Sequence, residues 1–201
     1  MASWTEISYG CGVLRAEYRV RPARGFTLVE LLAVVTITGV LAMVGVTIFR
    51  RYITSSKSTE ALAVLQAIRA AEESYAAENH SYLNVSATGG PNPESGTNWY
   101  PNLTPNTTRL EWHVASHADL ANWQALAPVV TRGVQFGYLV NAGIAGKAMT
   151  VPQTASKPTF SVPTQDWYVI QAKGDTDGNG VSTLYVATNA TTEVYSEHEG
   201  E

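Results

Sequence analysis

Beyond Cys11 the 201-residue sequence contains no cysteine, so nothing after that position can form a disulfide or a thiolate metal centre. Whatever folds there is held by packing or by an oxygen-ligated ion. Basic patches are equally scarce: the formal charge is −4, and after Arg51 no cluster of lysine and arginine is interleaved with aromatics. That argues against a surface for tracking a phosphate backbone, and nucleic acid is not an expected partner. Catalytic signatures are missing too, with no G-x-S-x-G, phosphate loop or dinucleotide fingerprint, so no enzymatic activity is expected. Among the histidines His80, His113, His117 and His198, only His113 and His117 have a metal-like spacing. They lack the glutamate of H-E-x-x-H, and a polar strand-to-turn segment accounts for them better.

Two further gaps are structural. Leu31 to Phe49 is a run of 19 residues without a charge, close to the ~20 that cross a bilayer as a helix. Ser56 to Asn79 has neither glycine nor proline, so nothing there interrupts a helix. Within it Ala61, Val64, Leu65, Ile68, Ala71 and Tyr75 fall at i, i+3, i+4, i+7 spacing, while Lys57, Glu60, Arg69, Glu73 and Glu78 lie mostly elsewhere. The adjacent acids Glu72 and Glu73 are assigned to a solvated face. Together the two stretches predict one helix over 26–79, roughly 80 Å long at about 1.5 Å per residue. Its first part, 26–49, is apolar all round and spans the membrane; its second part is apolar on one side.

The order of features at the N-terminus is the reverse of a cleaved secretory signal. Arg15, Arg19, Arg21 and Arg24 come first, then Gly25 and Phe26, then the apolar run. The arginines hold residues 1–25 in the cytoplasm, so the rest of the chain faces outward. Glu30 stands near the start of the apolar run, where a carboxylate costs on the order of 2.5–3.5 kcal/mol at the bilayer centre. An ordinary single-span anchor leaves that residue as a glutamate snorkelling to the interface.

The segment "RGFTLVELL" resembles the class III signal of type IV prepilins and of type II secretion pseudopilins. The resemblance implies that a prepilin peptidase cuts after Gly25 and methylates the new N-terminus, Phe26. It also implies that Glu30 pairs with the cationic N-terminus of a neighbouring subunit, so that two buried charges neutralise each other. Gly39 matches a frequent helix glycine, whereas Thr47 stands where many pilins have a helix-bending proline. Partners follow by the same resemblance: copies of this chain and other pilins in a filament, the peptidase, the inner-membrane assembly platform and the membrane itself. The chain is then an inner-membrane single-pass precursor that moves into an extracellular pilus or a periplasmic pseudopilus. The reading is a structural subunit of a type IV pilus; the alternatives are a type II secretion pseudopilin and a membrane-anchored calcium-binding or adhesive domain that never polymerises.

After the helix, Asn79 to Ser81 reads as a stop, and Asn84 to Thr108 is a surface loop broken by Pro91, Pro93, Pro101 and Pro105, with Trp99 and Tyr100 pinning it to the core. Its N-x-S/T triplets, as at Asn84 and Asn106, follow from composition. Strands are predicted at Leu110–Ala115, Val134–Val140, Gln165–Lys173 and Val181–Thr188, and a short helix at Asp119–Leu126 capped by Asp119. The resulting class is α+β: the globular head, residues 56–201, lays the second half of the long helix on an antiparallel sheet, the shape the pilin resemblance also implies. Between the last two predicted strands, "GDTDGNG" places Asp175, Asp177, Asn179 and Gly180 as in the first half of an EF-hand calcium loop. The Val181 carbonyl would supply a further ligand, but Val186 replaces the bidentate glutamate. The alternative is a hairpin turn that uses Asp-Gly and Asn-Gly for positive φ.

Overall fold

The computed structural model describes residues 25–86, 99–149 and 161–199. The leader through Arg24 and the middle of the proline-rich loop lie outside the described residues. Helix α1 spans Leu28–Asn79. It starts where Thr27 offers its backbone carbonyl to the Leu31 N–H at 3.1 Å and its hydroxyl to the Glu30 N–H at 3.2 Å, and it ends at Asn79 with His80 in the left-handed region. The chain divides into two compact units at Val44/Gly45. In the first, every described residue is exposed, and the helix is long and apolar enough to cross a membrane. Its threonines are compatible with that solvent, because Thr36 and Thr38 donate their hydroxyls back to carbonyls one turn earlier, at 2.8–3.1 Å.

The second unit is built on a four-stranded antiparallel sheet in the order β1 (Gly137–Gly143), β2 (Trp167–Gly174), β3 (Thr183–Thr188), β4 (Tyr195–Glu197). Alternation along the strands separates two apolar layers. Tyr138, Val140, Tyr168, Ile170, Ala172, Tyr185 and Ala187 face the helical stripe of Ala61, Val64, Leu65 and Ile68. Leu139, Trp167, Val169, Leu184 and Val186 pack with Trp99 and Met149 on the other face. Because both faces are covered, β2 and β3 are almost wholly buried and read as continuous apolar runs rather than strict alternations.

Four expectations need correction. Leu110–Ala115 is not a strand: Leu110 makes a single bridge to Val134, with reciprocal hydrogen bonds of 2.9 and 2.8 Å. The chain then turns to deliver Trp112 to an aromatic cluster with Tyr100 and Trp123. For the same reason β1 begins at Gly137 instead of Val134. Gly137 itself lies under Trp99, whose Cβ would be 2.6 Å from any added Cβ, which is how the loop's tryptophan reaches the sheet. The short helix exists as α2, Leu120–Leu126, but the Asp119 side chain makes no capping hydrogen bond; His117 takes part of that task, its Nδ1 accepting the Asp119 N–H at 3.1 Å and its carbonyl the Leu120 N–H at 3.2 Å. Finally, Glu72 is not on a solvated face. It continues the buried stripe and is fully enclosed, while its neighbour Glu73 is exposed.

Candidate functional site

The residues singled out by the sequence fall in two places. Gly25, Phe26 and Glu30 lie at the start of α1, and all three are exposed, Phe26 by 81%. Thr27 and Glu30 form the spacing of a capping box, T-x-x-E, and half of that box is made: the Glu30 N–H bonds to the Thr27 hydroxyl. The local sequence thus sets the helix start immediately after Phe26 and puts the Glu30 carboxylate in its first turn, where the helix dipole favours an anion. Among the described residues that carboxylate makes no ion pair. The nearest basic residues along α1, Arg50 and Arg51, are 20 and 21 positions further on, about 30 Å at helical rise. An unpaired anion at the end of an apolar helix is chemically suited to receive a cation from outside.

The second place is the turn between β2 and β3. Asp175 accepts the N–H of Gly178 at 2.7 Å on one carboxylate oxygen and that of Gly180 at 3.0 Å on the other. Asp177 accepts the backbone and side-chain amides of Asn179 at 3.1 and 3.0 Å, and Asn179 accepts the Val181 N–H at 2.6 Å. Gly178 and Gly180 supply φ values of 84° and 87°, as the turn reading requires. Burial pushes the Asp175 acid up, but the hydrogen bonds from Gly178 and Gly180 outweigh it and hold the group below the usual carboxylate range. The turn is tied to its surroundings by Gln135, which donates to the Asp175 carbonyl at 3.0 Å, and by Lys57 of α1, which donates to the Thr176 carbonyl at 2.5 Å. Every side-chain oxygen of the three candidate ligands therefore already accepts at least one hydrogen bond. Among the described residues no group of three or more histidine, cysteine, aspartate or glutamate is placed to hold a metal ion. His117 is buried and both its ring nitrogens contact the backbone, Nδ1 with the Asp119 N–H and Nε2 with the Trp99 carbonyl at 3.2 Å.

Comparison with known proteins bears on the first place. The family model for the prokaryotic N-terminal methylation motif matches residues 20–46. This segment is similar to the N-terminal segments of type IV pilins. The chain is also 37% identical over 76 residues to the type IV major pilin protein PilA of Myxococcus xanthus (strain DK1622), a stretch covering 38% of this chain and 34% of that protein. The match thus spans about a third of the relative's length. No solved structure matches significantly. In the described residues the pilin-type segment continues into a helix laid on an antiparallel sheet, the α+β plan expected from the sequence.

Two features escaped the sequence reading although a signal for each was present. The capping box is visible as Thr27 and Glu30 three positions apart. Glu72 sits seven residues from Leu65 and four from Ile68, within the apolar stripe, but its charge masked its position.

Proposed function

We propose that this chain is a structural subunit of a type IV pilus, made as a membrane-anchored prepilin, cut after Gly25, methylated on Phe26 and polymerised through the first half of α1. The observation that carries the reading is the exposed, unpaired Glu30 carboxylate in the first turn of an apolar helix, four residues from the amine that cleavage would create. Within one chain that carboxylate is a liability. In a filament the amine of a neighbour neutralises it, and an ion pair shielded from water is sensitive to register, since breaking one partner costs roughly 3–5 kcal/mol. The peptidase, the inner-membrane platform and other pilins are the partners this route requires. The compartments follow as inner membrane for the precursor and cell exterior for the filament. The test is incorporation: filaments sheared from cells should contain the chain, and a Gly25 substitution that blocks cutting should leave it in the membrane and out of the filament.

A calcium site in the β2–β3 turn is the second element of this proposal. Asp175, Asp177, Asn179 and the Val181 carbonyl are hard oxygen donors on one short turn, as calcium prefers. Fixation of Asp175 by two backbone amides supports it, and because Val186 replaces the bidentate glutamate and every side-chain oxygen is shared with an N–H, the affinity expected is the weak, extracellular one of about 10⁻⁴ to 10⁻³ M. The ion would act as a staple for a head without disulfides.

A further inference from the structure

Glu72 is an acid placed where the fold offers water no access. It lies on the buried stripe of α1 between Ile68 and Tyr75, fully enclosed. Its Oε2 accepts the Leu83 N–H at 3.0 Å, and among the described residues its Oε1 has no hydrogen-bond partner. Leu83 opens the segment that leaves the helix and runs along the free edge of β1. There the Ser86 N–H donates to the Val140 carbonyl at 2.9 Å, the Val140 N–H to the Ser86 hydroxyl at 3.1 Å, and the Ala142 N–H to the Asn84 side chain at 3.3 Å. Val85 between them is fully buried. One carboxyl group thus fastens the start of the strap that covers a sheet edge.

We propose that Glu72 is a proton-operated latch: protonated, it seals the junction between α1 and the 83–86 strap, and ionised, it loosens that junction and with it the cover on the β1 edge. Geometry gives the reason. A neutral carboxylic acid keeps its Oε2 bond to Leu83 and leaves one oxygen without a partner, whereas a carboxylate buries a full charge with only one donor facing it.

Among the described residues the surrounding charged and titratable groups do not supply the missing compensation. On the same helix Glu73 repels Glu72, and the Arg69 guanidinium is turned to the carbonyls of Thr188, Thr191 and Thr192 at 2.9–3.2 Å. From the segment after the helix comes Tyr82 and from β2 Tyr168, and the hydroxyls of both go to Glu73, at 3.4 and 3.1 Å. Burial accordingly dominates, against the Leu83 hydrogen bond, and pushes the Glu72 acid from its ordinary 4.5 up to about 7. An acid raised in the fold favours the folded state most when it is protonated. The contribution is complete below the unfolded value near 4.5, declines as pH rises, and is gone above about 7. Across that window the folding equilibrium constant changes by roughly two to three orders of magnitude, about tenfold for each pH step between the unfolded and folded values.

The experiment is thermal unfolding of the full chain in detergent, followed by near-ultraviolet circular dichroism from pH 5 to 8, for wild type, Glu72→Gln and Glu73→Gln. Glutamine keeps the acceptor for Leu83 and carries no charge. The wild-type midpoint should fall by several degrees across the range. Glu72→Gln should remove most of that slope and be the more stable protein at pH 8, while Glu73→Gln keeps the slope. The four histidines are common to all three proteins, so their titration cancels in the comparison. Infrared difference spectra should show the carbonyl stretch of a protonated carboxylic acid lost between pH 6 and 8 in wild type and absent from Glu72→Gln. Parallel profiles for wild type and Glu72→Gln, or a slope removed by Glu73→Gln instead, would overturn the latch.

Discussion

At the scale of single residues, Glu30 and Thr27 act on the same turn through different atoms. Glu30 contributes its backbone N–H to the helix start and leaves its carboxylate free for a partner. A substitution at Glu30 therefore removes the charge without touching the cap. Glu30→Ala should insert into the membrane as well as wild type or better, since it removes a charge whose insertion cost reaches about 2.5–3.5 kcal/mol at the bilayer centre and is smaller at this helix end, yet be depleted from filaments. Quantitative immunoblots of membrane and sheared-filament fractions measure both, and equal filament incorporation at equal protein level would contradict the pairing. Thr27→Val does the converse: it deletes the hydroxyl acceptor and keeps the carboxylate. Loss of such a cap costs about 0.5–2 kcal/mol locally, so amide exchange at Leu28 to Leu31 in detergent should quicken while the rest of α1 is unchanged. Charge made Glu30 conspicuous in the sequence. The same property misdirected the reading at Glu72, because a carboxylate is assigned to water unless the stripe around it is followed residue by residue.

Among the elements, legibility tracked regularity. Helix α1 emerged within two residues at its start and at the same residue at its end, since a 52-residue helix has many turns over which periodicity can accumulate. Strands β2 and β3 were placed within two residues because each is a dense run of apolar and β-branched residues between turn signals. The Leu110–Ala115 segment looked like a strand for the same local reasons. What the local pattern lacks is tertiary: after the single bridge at Leu110 the chain bends, and Trp112 packs edge-on to Tyr100 and Trp123 at centroid distances of 5.1 and 5.2 Å. β4, three residues long, is too short to carry a pattern, and at the start of α2 it is His117 that accepts the first N–H groups, those of Asp119 and Leu120, while the Asp119 side chain makes no cap. The β2–β3 turn was read correctly as Asp- and Asn-rich with glycines at the positive φ positions, and its fastening to Lys57 and Gln135 had no sequence signal. For this turn the calcium proposal makes a direct prediction. At a hundredfold excess over Kd, a bound ion adds about 2.7 kcal/mol to stability, which for a chain of this size is a rise of roughly 5–10 °C in the unfolding midpoint at about 2–4 °C per kcal/mol. Full-length protein in detergent, scanned with millimolar calcium or with chelator, should show that rise, and Asp175→Ala with Asp177→Ala should abolish it. Equal midpoints in calcium and chelator would leave the loop as a turn closed by its own side chains.

For the whole molecule, the sequence divides labour along one helix. Its first part is exposed and apolar in an isolated chain, and its second part is the spine of a head whose core includes Tyr100, Trp112, Trp123, Tyr138 and Tyr168. In the proposed subunit the head is packed on itself, and the exposed first part is the surface that would meet lipid or other copies. The proposed route turns on the peptide bond between Gly25 and Phe26, because cleavage there would both free the helix from the basic segment before it and create a cation for Glu30. Intact-mass and N-terminal peptide analysis of the chain recovered from sheared filaments tests this most directly. The account predicts a chain that begins at Phe26, carries one methyl group on its N-terminal nitrogen and contains no cysteine; a chain retaining Met1 or cut at another bond in those filaments, or filaments from which the chain is absent, would contradict it.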